Sequence, residues 1–353
     1  MMKSLAVRPV GFLNNLKNDQ RPPESFAFPA CMTSLMEYLG EDVRWETIYA
    51  HDRTYTKRRL NDAILAATGM AFGLLWSREA CPSCFDLMQV NDHNATIARG
   101  FDYVGYDFEI VENTGTGCNP KDIKRRVVET IDAGRPVLAF GLMGPPECSI
   151  VCGYDQGGDT LAGWSHFQSH APADCEPNGM FRKSDWQKDI WKIVICGNKK
   201  EPRREVSEII RHGISIASTA ELSGYDAGAA AYNAWADYVL NPAYESMEED
   251  ALRGAYHFHH ALVGNHAEAR CYLGNFLHDA AGEDMLLHKI AEHYGQIHNL
   301  CWQVWAAAGN WNDANAHGAF RQKEKRERMA ELIRSMAQLD AMAVEELKKW
   351  LKG

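Results

Sequence analysis

The chain has 353 residues, 46% hydrophobic and 24% charged, with a formal net charge of -10, the composition of a soluble globular protein longer than one average domain. The acidic balance excludes a nucleic-acid phosphate backbone as the main partner, which would need a basic footprint. The apolar runs fall short of the ~20 residues needed to span a membrane, and the first residues lack the apolar core of a secretory signal, so the expected location is cytoplasmic, with ten cysteines held as reduced thiols.

Residues 1 to 25 are mostly polar and end in Arg21-Pro22-Pro23-Glu24-Ser25, a surface arm. Phe28 to Gly40 predicts the first helix: Pro29 suits its first turn, Gly40 the position past its last, and Cys31, Leu35, Met36 and Leu39 make one apolar stripe. Lys57 to Thr68 reads as a second helix and Ala71 to Trp76 as a short strand. Cys81-Pro82-Ser83-Cys84 is the chain's only C-x-x-C. Zinc there would need further donors, such as His93 and Cys118, and the reading favours a partly buried thiol pair. Asn94 to Val104 starts as a helix, Tyr106 to Glu112 alternates as a strand, and Gly115 to Gly117 is a loop.

Asn119 to Gly134 carries a cap residue, Pro120 at the first turn, Ile123, Val127 and Ile131 at four-residue spacing, and a terminal glycine, the marks of an amphipathic helix. It leads into residues 134 to 168, where strand signals, tight turns and reactive side chains fall together. Pro136 to Gly141, Glu147 to Tyr154 and Thr160 to Trp164 predict three adjacent strands. The last two form a hairpin across Asp155-Gln156-Gly157-Gly158-Asp159. Pro145-Pro146 is a stiff corner that either aims Glu147 and Cys148 into a cleft or simply starts an edge strand. After a loop at 171 to 178 and a turn at Ser184 to Trp186, Ile190 to Cys196 reads as another strand. Residues 197 to 203 are polar and hold glycine and proline, which places the domain boundary: residues 1–200, then 201–353.

From Glu205 onward strand patterns vanish. Segments 205–217, 226–240, 247–281, 284–308 and 322–350 have apolar residues at helical spacing, predicting an all-α bundle. His259, Val263, His266 and Arg270 share one face of the long helix; His257, His260, Gly264 and Glu268 share another. His288, His293 and His298 follow on the next. No repeated Glu-x-x-His pair accompanies them, so no metal and no cofactor is assigned, and the histidines read as buried polar contacts or surface residues. The aromatic segments Tyr232 to Tyr238 and Trp302 to Trp311 would cover the first domain or form a homodimer.

A proline-opened helix ending in Tyr38-Leu39-Gly40, a later helix ending in Ala133-Gly134-Arg135-Pro136-Val137, and a strand ending in Gly153-Tyr154-Asp155 with a glycine hairpin resemble papain-like cysteine peptidases of the bacteriocin-processing type. They are also similar to the N-terminal domain of the butirosin biosynthesis protein H family, an acyltransferase. The resemblance covers about the first 200 residues. It implies an α+β fold, a papain-like antiparallel sheet with helices, ahead of the all-α bundle, and hydrolase or acyl or amide transferase activity. It also implies a Cys-His-Asp/Asn triad, yet the three positions hold Ala27, Glu147 and Trp164. A standard mechanism is therefore not expected: a thiolate is raised by pairing with an imidazolium, and a carboxylate beside a thiol works against it.

Two replacements remain open. Cys31, one turn deeper than Ala27, is either a displaced nucleophile with His166 as base or a small core residue. Glu147 is either a general base or amine-binding carboxylate, with Cys148 on the opposite side of the strand, or a solvated side chain. Phe28, Trp76, Trp164 and Gln168 are the candidate substrate-binding residues; Trp164 to Gln168 would either supply aromatic walls and polar handles to a small-molecule pocket or form a strand with one buried face. The expected partner is a small-molecule substrate or ligand, and the alternative to an enzyme is an inactive relative that binds a small ligand or peptide in the same cleft.

Overall fold

The computed structural model describes residues 2–10, 24–50, 53–78, 87–113, 120–145, 147–168, 175–202, 205–310 and 313–353. Cys81, Cys84, Cys118, Pro146 and the loop at 115–117 lie outside the described residues. The elements up to the second helix are β1 (Lys3–Ser4), α1 (Ala27–Tyr38), β2 (Trp45–Ala50), β3 (Arg53–Arg58) and α2 (Arg59–Ala67). Then follow β4 (Leu75–Trp76), α3 (Leu87–Val90), α4 (His93–Val104), β5 (Tyr106–Glu112), α5 (Pro120–Asp132), β6 (Val137–Phe140), β7 (Cys148–Asp155), β8 (Thr160–Ser165), β9 (Phe181–Lys183) and β10 (Lys192–Lys199). The remainder comprises α6 (Val206–Ala217), β11 (Glu221–Leu222), β12 (Tyr225–Ala227), α7 (Gly228–Val239), α8 (Glu249–Ala281), α9 (Met285–Ala308) and α10 (Lys323–Trp350).

The fold is α+β, with a mainly antiparallel sheet and a helical C-terminal region. Two compact units form: residues 1–64 with 97–203, and residues 65–96 with 204–353. The segment 65–96 thus groups with the C-terminal helices and not with the rest of the first 200 residues. The reason is hydrogen bonding: β4 pairs with β12, and Arg270 holds the carbonyls of Ala71 and Phe72.

In the first unit the sheet runs β5-β10-β6-β7-β8-β9, and β1 pairs with β7 at Gly153 and Tyr154. All its pairings are antiparallel. Strand alternation sorts the side chains into two buried faces. Val137, Ala139, Val151, Leu161 and Ile193 pack with Ile123, Val127 and Ile131 of α5. Phe140 faces the other way, its ring 6.3 Å from that of Phe28 on α1. Sheet strands covered on both faces read as unbroken apolar runs, which is how β6 looks in sequence. Both helices end on a glycine in the left-handed region, Gly40 at φ 85° and Gly134 at φ 80°. Around each glycine the chain makes the nested pair of hydrogen bonds, Gly40 N to Glu37 O with Glu41 N to Met36 O, and Gly134 N to Ile131 O with Arg135 N to Thr130 O, that closes a helix C-terminus.

Two hairpins depart from the expectations. Residues 57 and 58 close β3, paired along its length with β2, so α2 starts at Arg59 and not at Lys57. Trp45 to Ala50 and Arg53 to Arg58 are two strand-like runs in sequence, but no glycine turn signal stands between them. The second unit is not all-α: β11 and β12 turn at Ser223 and Gly224, with φ 50° and 86°, and join β4 in a three-stranded sheet. β4 lies within the stretch 71–76 expected as a strand; β11 and β12 are too short to show a period of two, and only the Ser-Gly turn betrays them. The other helices in this unit match their apolar spacing, α8 packing on α9, α9 on α10 and α10 on α7. Among the described residues no helix is long and apolar enough to cross a membrane.

Candidate functional site

The resemblance points to the contact between α1 and β7, and the first unit brings six of the eight candidate residues to its interior. Cys31 is fully buried, and its Sγ donates to the backbone oxygen of Cys148 at 3.6 Å. Cys148 opposes Phe140 in the β6–β7 register and so shares the α1 face. It is 1% exposed. Phe28, on the first turn of α1, is equally buried and packs on Phe140. Trp164 is 4% exposed, and its indole Nε1–H donates to the carbonyl of Val7 at 3.2 Å. Gln168 is buried and accepts the Ser165 N–H on Oε1 at 3.2 Å. These aromatic and amide groups hold the chain's own backbone.

His166 follows the end of β8 and is 1% exposed. Its Nε2–H donates to the backbone oxygen of Glu24, just before α1, which leaves Nδ1 as the unprotonated nitrogen. Burial pushes its pKa below the ordinary range; the Arg58 guanidinium adds to this, and the Glu24 carbonyl and carboxylate oppose it. A neutral imidazole of this tautomer ties Glu24 to β8.

Glu147 is half-buried, the one candidate in this unit that reaches solvent. Its N–H bonds the Pro145 oxygen at 2.6 Å and its carbonyl accepts from Gly141 N at 3.3 Å, so the corner before β7 is tightly folded. Two glycines permit it. Gly141 has φ 87° and a Cβ there would sit 2.6 Å from Asp189 O; Gly144 has φ 70° and a Cβ would sit 2.6 Å from Phe167 Cβ. No other residue takes this backbone at so little cost.

Trp76 lies in the second unit, on β4, in edge contact with Tyr238 and Phe258 at 5.0 and 5.1 Å. Trp76 thus belongs to a different compact unit from the other seven candidates.

A buried polar group that the sequence reading missed adjoins His166. Arg58, at the end of β3, donates from Nε to Glu24 Oε1 at 2.9 Å, from Nη2 to Glu24 Oε2, and from Nη1 to Ser34 Oγ at 2.7 Å and Glu37 Oε2 at 3.3 Å. Its side chain is wholly buried and Glu24 is 6% exposed. Arg8 closes the set on Glu37 Oε1 at 2.7 Å. Two cations face two carboxylates, so the charges cancel and the planar fork locks β3 and α1 to the segment that His166 also holds. Ser34 and Glu37, three apart on one face of a helix, were the available signal.

The second unit contains a cavity of about 220 Å³. Leu74, Leu75, Ile216 and Leu222 give it apolar walls, and Asn91, His212 and Thr219 supply polar groups. Among the described residues no acidic, lysine or arginine side chain lines it, so it suits an uncharged guest of a few heavy atoms. Among the described residues no group of three or more His, Cys, Asp or Glu side chains is arranged to hold a metal.

Compared with known proteins, the chain matches no family model, and no curated protein is significantly similar to it.

Proposed function

We propose that this protein binds a small uncharged molecule, and that its papain-like first unit serves as a scaffold without thiol-dependent acyl or amide chemistry. One observation carries the reading: the Cys31 thiol is fully buried and gives its hydrogen to a backbone carbonyl. A small thiol buried and bonded in this way behaves as a core residue. The imidazole of His166 is likewise spent on a carbonyl. The cavity in the second unit, with neutral walls, is the binding site this reading assigns.

The test has two arms. Under native conditions near neutral pH, iodoacetamide should leave Cys31 and Cys148 unmodified while labelling both in denaturant; rapid selective alkylation of either in the folded protein overturns the scaffold role. Hexanamide and cyclohexanol should raise the melting temperature of the wild type and lose that effect in Ser215→Trp, which obstructs the cavity from its exposed rim. Equal responses of the two proteins remove the cavity from the proposal.

A second reading rests on Glu147, the candidate in its unit that solvent reaches. There its carboxylate acts as a general base or holds a ligand amine at the Gly141–Glu147 corner. Glu147→Gln would then abolish binding of a primary amine such as butylamine, whereas unchanged binding dismisses the role.

A further inference from the structure

Four helices of the second unit direct polar side chains into one buried cluster. Tyr232 on α7 donates its hydroxyl hydrogen to Asp340 Oδ2 on α10 at 3.0 Å, and its oxygen meets His266 Nε2 on α8 at 2.7 Å. Having one hydrogen to give, Tyr232 accepts from His266, so Nε2 is protonated and Nδ1 is a bare acceptor. Arg270, one turn further along α8, donates from Nη2 to the same Asp340 oxygen at 2.7 Å. Its remaining Nη hydrogens go to the carbonyls of Ala71 at 2.5 Å, Phe72 at 3.3 Å and Gly73 at 3.5 Å. The guanidinium lies 5.8 Å from the centre of the Tyr294 ring on α9. All five side chains belong to residues no more than 7% exposed.

Among the described residues these bonds leave four buried atoms without a protein partner: Arg270 Nε, Tyr294 Oη, His266 Nδ1 and Asp340 Oδ1. Arg270 Nε–H can only donate, His266 Nδ1 and Asp340 Oδ1 can only accept, and the Tyr294 hydroxyl is free to donate. Two donors and two acceptors buried in one cluster are costly if left open, since each buried polar atom without a bond loses about 1–3 kcal/mol. Buried polar atoms are nearly always satisfied. The guest that completes the set must be small enough for the interior of a helix bundle. It must also be neutral, because Arg270 and Asp340 already cancel, and must offer two hydrogens and two lone pairs.

We propose that the core of the second unit is an internal water site, in which one or two water molecules bridge Asp340 Oδ1 and His266 Nδ1 to Arg270 Nε and Tyr294 Oη. Water meets each requirement and costs little to immobilise where it makes three or four hydrogen bonds. The hydrated network holds Arg270 in the orientation that clamps the three carbonyls of residues 71–73, and so sets the start of β4.

Tyr294→Phe reads the proposal by the sign of its effect. A hydroxyl that binds internal water is lost at a cost, and the melting temperature should fall by roughly 2–4 °C. A hydroxyl with no partner is better removed, and an unchanged or raised melting temperature overturns the proposal. Room-temperature crystallography of the wild type decides independently, including where the variant fails to fold. Ordered solvent density within hydrogen-bond distance of both Arg270 Nε and Asp340 Oδ1 supports the site, and empty density at both atoms refutes it.

Discussion

Cys31 gives its thiol hydrogen to the backbone oxygen of Cys148 at 3.6 Å, which makes its side chain part of the contact between α1 and β7. Around it Phe28 and Phe140 close the same interface. The chemistry this implies is packing, and it can be tested by substitution.

Cys31→Ala removes one buried sulfur and a weak hydrogen bond, and should cost about 1 kcal/mol. Urea denaturation measures it. Binding of hexanamide should be unaltered, because Cys31 has no part in the neutral cavity; loss of binding with intact folding would return the thiol to the site.

Arg58→Met should be far more damaging. It leaves Glu24 buried without its cation and Glu37 with Arg8 alone, and breaking a buried ion pair from one side costs about 3–5 kcal/mol. The double variant Arg58→Met with Glu24→Gln should recover part of this loss, since the stranded charge goes with it. A double-mutant cycle in urea gives the coupling.

Stability should fall as the solution is acidified below pH 6.5. Burial pushes the His259 pKa down to about 3, holds His266 well below its ordinary value with help from Arg270, and lowers His166. Between the unfolded value of about 6.5 and these folded values the unfolded chain binds more protons, so stability is complete above that pH and declines beneath it. His259 alone contributes about 1.4 kcal/mol of loss for each unit. Melting curves at successive pH values measure the slope, and His259→Gln, which keeps a group able to accept from Trp235 Nε1, should flatten it.

Two glycines should respond to alanine in opposite directions. Gly144→Ala forces a side chain at φ 70° against Phe167 and should lose more than about 1 kcal/mol. Gly254→Ala lies on an exposed turn of α8 with nothing within 4 Å of the added methyl, and should gain about 0.5–1 kcal/mol from reduced freedom of the unfolded chain. Differential scanning calorimetry distinguishes the signs.

Much of the architecture was legible because local physics repeats it. Ile123, Val127 and Ile131 lie on the buried face of α5, and the glycines at 40 and 134 close α1 and α5 as their positions in sequence suggest. The hairpin across Gln156 to Gly158 forms on left-handed residues, with Asp155 accepting the Gln156 N–H. His259, Val263, His266 and Arg270 fall together on the interior face of α8. What local pattern conveyed poorly was the hairpin of β2 and β3, whose connection carries no glycine turn signal, and the short strands β11 and β12 of the second unit.

The sequence by itself determined the periods of its helices and strands, the glycines that end them, and the substitution of Ala27, Glu147 and Trp164 at the positions a cysteine peptidase would use. Only the tertiary structure decided which polar atoms met. Glu24 and Arg58, 34 positions apart, and Arg270 and Asp340, 70 positions apart, carry no shared local signal. The energy of a buried charge depends on the partner that folding brings to it, and that partner is set by the packing of whole elements, not by the spacing along any one of them.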